Sequence, residues 1–434
     1  MKTIFTTSLF ILFSIVSNGQ TNVGGGIYAN TVWTLSNSPY IVTNQLVLFP
    51  GYTLTIEPGV TIKFADGIGF ECRGILIARG TASDSITFTS NSTNAGIGSW
   101  SGIVASALNT PTPTDQVRME YCKGMYATNF IDLDLAYAGP YTFDHCYFYK
   151  NEKVNYDGGV SGVYFNYCIF ESNNSALNYL QFGGRVTHST FFNNVNGVDG
   201  FEHVDSCIFH NNSGVALSPY GSANGNDVYD NNIGVRCYFN SVNDTFINNQ
   251  VHNNVVGVDI LTYFNGFINF ENNFLCNNSQ YNIKNSGTND VDLSRNCWCT
   301  NDSLQIRSKI YDGYVDPAFG LVTFTPIISN CNIPIGPTGP TDPTPPVTTA
   351  PDSVIFDRQI TVYPNPVVNG VINIVLNKTI IQGSVNIFDI RGYQVYSSSF
   401  VGSRKTIYQK LPAGVYIVKV NDGKDFWVEK FVSF

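Results

Sequence analysis

Charge is scarce in this chain: only 13% of its 434 residues are Asp, Glu, Lys or Arg, where a soluble protein carries about 25%. Basic charge is scarcer still. With 23 Lys and Arg against 32 Asp and Glu, for a net charge of −9, the composition argues against a surface for nucleic acid. No two cysteines stand at CxxC spacing, which argues against a zinc site, and none of the ten lies beyond Cys331. After the first residues no apolar run approaches the ~20 residues a membrane helix needs. Neither an LxxLxL pattern nor a helical half-repeat is present, so a leucine-rich architecture is not supported. What the chain does have is asparagine: 31 of its 49 Asn fall between residues 151 and 300. Hydrophobic residues at 43% are ample for a core.

Lys2 precedes an apolar run from Ile4 to Val16, and Ser17, Asn18 and Gly19 follow as small residues. This is the layout of a signal peptide over residues 1–19, cut near Gly19/Gln20. The processed chain is then expected to be exported, with no transmembrane span.

One short pattern recurs in the Asn-rich region: CYFYKN at 146, CIFESNN at 168, STFFNN at 189, CIFHNN at 207, DVYDNN at 227, DTFINN at 244, NFLCNN at 273 and NCWCTN at 296. Taking Phe148, Phe170, Phe191, Phe209, Tyr229, Phe246, Leu275 and Trp298 as anchors gives steps of 22, 21, 18, 20, 17, 29 and 23 residues. Gly, Asn and β-branched residues dominate, so each repeat reads as short strands and bends. A right-handed parallel β-helix accounts for the pattern: identical positions stack at ~4.8 Å, anchors inside. Asn at a fixed bend tolerates left-handed backbone and bonds to its copy in the next coil. Asn194, Asn212, Asn232, Asn249 and Asn278 are assigned that structural role.

The stretches TLTIEPGVTIKF, GILIARGT, SITFTS and SWSGIV, with KIYDGYVDPAFGLVTFTPI at 309 to 327, resemble the first coils and the closing segment of secreted bacterial β-helix proteins, the pectate-lyase-like superfamily. The resemblance spans roughly residues 27 to 331, within a β-helix domain taken as residues 20–331, and implies a fold, not a chemistry. Residues 332–354 are dense in Pro and Thr and read as an extended linker. From residue 355 to 434 short strands divided by Gly and Asn-Asp-Gly turns read as a small Ig-like β-sandwich. YPNP at 363, FDIRGYQV at 388, LPAGVYIVKV at 411 and KFV at 430 resemble the C-terminal sorting domain of type IX secretion in Bacteroidetes. That family implies handling by the type IX secretion machinery, then release or attachment at the outer-membrane surface.

Aligning the coils on the aliphatic residue after each Asn bend gives the inward set Leu177, Val198, Val215, Val235, Val258 and Ile283. The outward column is then Asn178, Asp199, Ala216, Arg236, Asp259 and Lys284. Two residues further on it reads Leu180, Phe201, Ser218, Tyr238, Leu261 and Ser286. Asp199, Phe201, Arg236, Tyr238, Asp259 and Lys284 thus form a candidate ligand-binding face, with charges to hold uronate or hydroxyl groups beside aromatic rings. A surface ion-pair ladder is the plainer reading. His145, Tyr167 and His188 share one repeat position, and two His two coils apart, at ~9.6 Å, cannot share a metal. Asp199, Glu202, His203 and Asp205 lie within seven residues, and paired carboxylates could serve acid/base hydrolysis.

The NxD, DD and HG motifs of polygalacturonase-like members of the fold are absent. Only Asp259 between Arg236 and Lys284 approximates the calcium-binding group of the lyases, so no cofactor is identified. Two functions remain: a non-catalytic surface module binding a polysaccharide or neighbouring cells, and a lyase or glycoside hydrolase. Cys276 and Cys299 are expected to meet in successive coils as a disulfide. Cys146 and Cys168 are expected to share an inward position, as a thiol pair or a second bridge.

Overall fold

The computed structural model describes residues 19–106, 116–135, 140–156, 162–178, 183–238, 244–261, 269–329, 331, 360–363, 367, 370–389, 393–422 and 426–433. The segments expected to be a signal peptide (all but Gly19) and a linker lie outside the described residues. The chain divides into two compact units, Met1–Thr344 and Pro345–Phe434.

The first unit is a parallel β-solenoid of about eleven turns. Its strands are short because every second residue must face the core and a bend follows within a few positions. Thr53–Ile56 and Thr61–Phe64 show the alternation, with Leu54, Ile56, Ile62 and Phe64 buried. In the Asn-rich region each coil contributes to three sheets. The inward ladder of sheet I runs Leu177, Val198, Leu217, Val235, Val258, Ile283 and Ile310. That of sheet II runs Met119, Phe143, Phe165, Val186, Val204, Ala223, Phe246 and Phe270. Sheet III stacks Phe148, Phe170, Phe191, Phe209, Val228, Val251 and Leu275.

These ladders correct two anchors. Tyr229 faces outward, where it stacks between His210 and His252 at 5.3 and 5.4 Å, and Val228 takes the inward place. Phe246 belongs to sheet II, and Val251 is its counterpart in sheet III. The apparent 29-residue step came from mixing two sheets; the true steps there are 23 and 24.

Two bends per coil use left-handed backbone, in most coils at a residue other than glycine. His145, Tyr167, His188 and Ser206 turn the chain from sheet II to III, and Lys150, Ser172, Asn193, Asn211 and Asp230 from sheet III to I. Such residues cost about 1–2 kcal/mol each. The cost is offset where the backbone N–H finds a carbonyl in the next coil, as His145 does with Asn166 at 3.0 Å, Ser172 with Phe192 at 3.2 Å and His188 with Asp205 at 3.1 Å.

The residue after each bend is the buried polar ladder. Asn151, Asn173, Asn194, Asn212, Asn231, Asn254 and Asn278 form one row, in which each Oδ1 accepts both the backbone N–H and the amide N–H of the preceding member. Asn232 is therefore not a ladder residue; Asn231 is. Asn249 belongs to a second row at the other bend, with Asn226, Asn273 and Asn296. In the earlier coils that second row is occupied by Cys122, Cys146, Cys168, Ser189 and Cys207; the Cys122 and Cys168 thiols donate to the carbonyls of Ala78 at 3.3 Å and Phe143 at 3.4 Å, and the Ser189 hydroxyl to that of Thr187 at 2.9 Å.

Cys146 and Cys168 are free buried thiols, not a bridge. Burial pushes the Cys72 thiol up to about 12 and raises Cys207 as well, so the sulfurs of Cys72 and Cys207 stay protonated and unreactive. Disulfides join Cys276 to Cys299 and Cys297 to Cys331 at the end of the solenoid. A short helix there, Ser303–Ser308, is capped by the Asp302 side chain accepting from Leu304 N–H.

The second unit is antiparallel, with strands Ile360–Tyr363, Val371–Asp389, Gln394–Tyr408, Gly414–Asn421 and Phe426–Ser433. The strands form one sheet. Register breaks between Val375 and Gly383 bend its long strands, and Val367 bridges to Ser433 across its ends. Ile372, Ile374, Val385, Ile387, Phe400, Val418 and Phe431 fill its own core. No helix among the described residues is long and apolar enough to cross a membrane.

Candidate functional site

The outward ladder of sheet I follows from the register just given. Asn178 pairs with Asp199, Asp199 with Ser218, Arg236 with Asp259, Asp259 with Lys284 and Lys284 with Tyr311. Ser218 stands where Ala216 was expected, because Val215 pairs with Ile233 and the inward residue of that coil is Leu217. Asp259 is 5% exposed. Its Oδ1 accepts from the Ser286 hydroxyl at 2.6 Å, and its Oδ2 lies 3.5 Å from Arg236 Nε. The guanidinium N–H is close enough for attraction but not aligned for a hydrogen bond, and Arg236 Nε has no hydrogen-bond partner among the described residues. Lys284 is half-buried and makes no ion pair among the described residues. Tyr238, half-buried, follows the strand that carries Arg236.

Phe201 must be removed from this face. It is fully buried in the core, because Gly200 adopts φ +83° and a bulge between Asp199 and Phe201 turns the ring inward, opposite Pro219. A bulge adds a residue to one strand and so inverts every side chain after it. Leu180 lies outside the described residues. Asp199 is exposed, one coil from Ser218 and two from Arg236.

The histidine column is real and packed. Tyr121, His145, Tyr167 and His188 stack in successive coils with ring centroids 4.7, 5.0 and 4.8 Å apart. Among the described residues no three His, Cys, Asp or Glu converge as a metal would need.

Beside that stack, the outer face of sheet II carries Glu202, His203 and Asp205. The strand Asn196–Asp205 crosses from sheet I to sheet II without a break. A second register shift between Phe201 and His203 leaves Glu202 and His203 both half-exposed, with Val204 inward and Asp205 outward. Asp199 and Asp205, close in sequence, therefore stand on different faces of the solenoid.

His203 pairs by register with Arg185 on one side and Ser222 on the other. Its Nδ1 is 2.7 Å from Ser222 Oγ, and its Nε2 is 3.9 Å from Glu202 Oε1. Glu202 Oε2 accepts from the Gly183 N–H. Arg185 Nη2 lies 3.8 Å from Asp205. Partial burial raises the Asp205 carboxyl above the ordinary range, and Arg185, then His203 and His188, pull it back. Arg185 and Ser222 escaped sequence reading; the only signal was their spacing from His203, 18 and 19 residues.

Residues 361–433 match the family described as "Secretion system C-terminal sorting domain". The chain therefore carries a type IX sorting tail, which marks it for secretion or display at the cell surface. A 72-residue stretch is 40% identical to "Protein bark beetle" of Drosophila melanogaster, covering 17% of this chain and 2% of that protein.

Proposed function

We propose that this exported β-solenoid works as a surface binding module for an anionic glycan, held along the outer ladder of sheet I, and serves adhesion through it. The observation that carries the reading is the charge arrangement of Arg236, Asp259 and Lys284. The one carboxylate is already occupied by Ser286 and faced by Arg236, which leaves an excess positive charge on the two cations, two coils apart with Asp259 between them. A uronate chain carries carboxylates at regular spacing and complements such a row. The sorting tail agrees with this, since a partner met outside the cell must be found by an exported face.

The test is retention of the full chain on immobilised polygalacturonate against a neutral glucan. Selective retention by polygalacturonate is expected, weakened about fivefold or more in Arg236→Ala and in Tyr238→Ala, a loss near 1 kcal/mol. Equal retention on both polymers, or unaltered affinity in both variants, would reduce the ladder to a surface ion pair.

A further inference from the structure

The corner where sheet I passes into sheet II is short at only some coils. Asp199 to His203 and Ser218 to Ser222 each span four positions, against seven from Asn178 to Arg185 and nine from Arg236 to Thr245. At these two short corners the proposed glycan ladder runs directly into the Arg185, Glu202, His203 and Ser222 group. Gly221 makes the close approach possible: a Cβ there would lie 2.7 Å from the Glu202 carbonyl oxygen.

We propose that Ser222 and His203 are a nucleophile and its base, oriented by Glu202 and assisted by Arg185, that together cleave an ester. The substrate class is the O-acyl substituent of a glycan lying along the adjoining ladder, so the choice of substrate rests on the function proposed above. The geometry brings together a hydroxyl, a base and, at longer range, a carboxylate and a cation. The hydroxyl and the base are already 2.7 Å apart. With Nδ1 accepting from the hydroxyl, the ring proton sits on Nε2, on the side of Glu202 Oε1 at 3.9 Å. The Gly183 N–H holds the other carboxylate oxygen, so Glu202 acts on the ring by electrostatic attraction across a gap longer than a hydrogen bond. Arg185 stands one coil away on the far side of His203. It touches Asp205 only loosely, at 3.8 Å, with a side chain 53% exposed.

In the reaction, Ser222 Oγ bonds to the ester carbonyl carbon while its proton moves to His203 Nδ1. The negative charge that develops on the carbonyl oxygen is met by the Arg185 guanidinium. Collapse breaks the bond to the sugar oxygen, which leaves as the alcohol with the proton from His203. Water, deprotonated by the same nitrogen, then attacks the acyl group on Ser222. The carboxylic acid departs and the hydroxyl is restored.

The test uses the full chain with two probes that contain no sugar, a fluorophosphonate and p-nitrophenyl acetate. The expected result is a single phosphonyl adduct on Ser222 by peptide mass mapping, at least tenfold slower to form in His203→Gln. Turnover of p-nitrophenyl acetate should fall about a hundredfold or more in Ser222→Ala, with an unchanged melting temperature. Should His203→Gln melt early, Ser222→Ala decides alone, since it removes only a hydroxyl. An adduct elsewhere, no adduct, or equal turnover in wild type and Ser222→Ala overturns the proposal. Because neither probe carries a glycan, retention on polygalacturonate with no ester cleavage sinks this inference alone, and cleavage without retention sinks only the binding reading.

Discussion

Asn231 is buried and its Oδ1 accepts two N–H bonds from Asn212, while Asn232, its neighbour, is exposed. Removing the first strands two buried donors, each worth about 1–3 kcal/mol when left unpaired. Asn231→Ala is therefore expected to lower stability by about 2–4 kcal/mol in urea unfolding, and Asn232→Ala by less than about 0.5 kcal/mol. Equal effects would break the ladder assignment. Asp205 gives a second expectation. A carboxyl whose folded value is raised binds its proton more tightly in the native state, so its contribution falls as pH rises from the unfolded value of about 3.8 through the raised one. Asp205→Asn should flatten that part of the stability profile and leave pH 7 stability equal or higher; a drop at pH 7 would mean that its contact with Arg185 dominates. The outward residues Arg236, Asp259 and Lys284 were legible from sequence because each follows a valine or isoleucine at an unbroken spacing. Phe201 was not, because nothing in VDGFEH announces that Gly200 opens a bulge.

At the scale of strands and bends, the pattern of aromatic followed by Asn located the solenoid, and its failures have one cause. Sheets II and III both present an aromatic followed by an Asn bend, so Phe246 of one was taken for Val251 of the other. The contact of His203 with Ser222 was beyond reading, since two register shifts in one strand decide it. The expected meeting of Cys276 and Cys299 needed only a single interval without a bulge. The paired disulfides close loops of 23 and 34 residues at one end, and chain entropy assigns about 3.5 kcal/mol to each. Replacing Cys276 and Cys299 together by Ser should speed amide exchange in the last coils and leave residues 140–210 protected, because solenoid coils contact only neighbours. Faster exchange throughout would mean that the solenoid unfolds as one unit.

Over the whole molecule, the two units have separate cores, so truncation after Cys331 should leave a soluble chain with undiminished sheet signal per residue. Fusing residues 355–434 to an exported reporter should carry it to the surface of a type IX-competent host; a reporter held in the periplasm would contradict the sorting role. The longer Asn row also has defined ends. It starts where Asn151 accepts only from the Ala127 backbone, and stops where Asn278 turns to Asn282 in its own coil. Between these ends every member gives to the coil ahead and receives from the coil behind, so the joint is the same at each step. A duplicated stretch of about one coil, in register, would therefore find both of its joints ready made. The length of the exposed face can grow or shrink by gene duplication and deletion in units of ~4.8 Å, with the end pieces untouched.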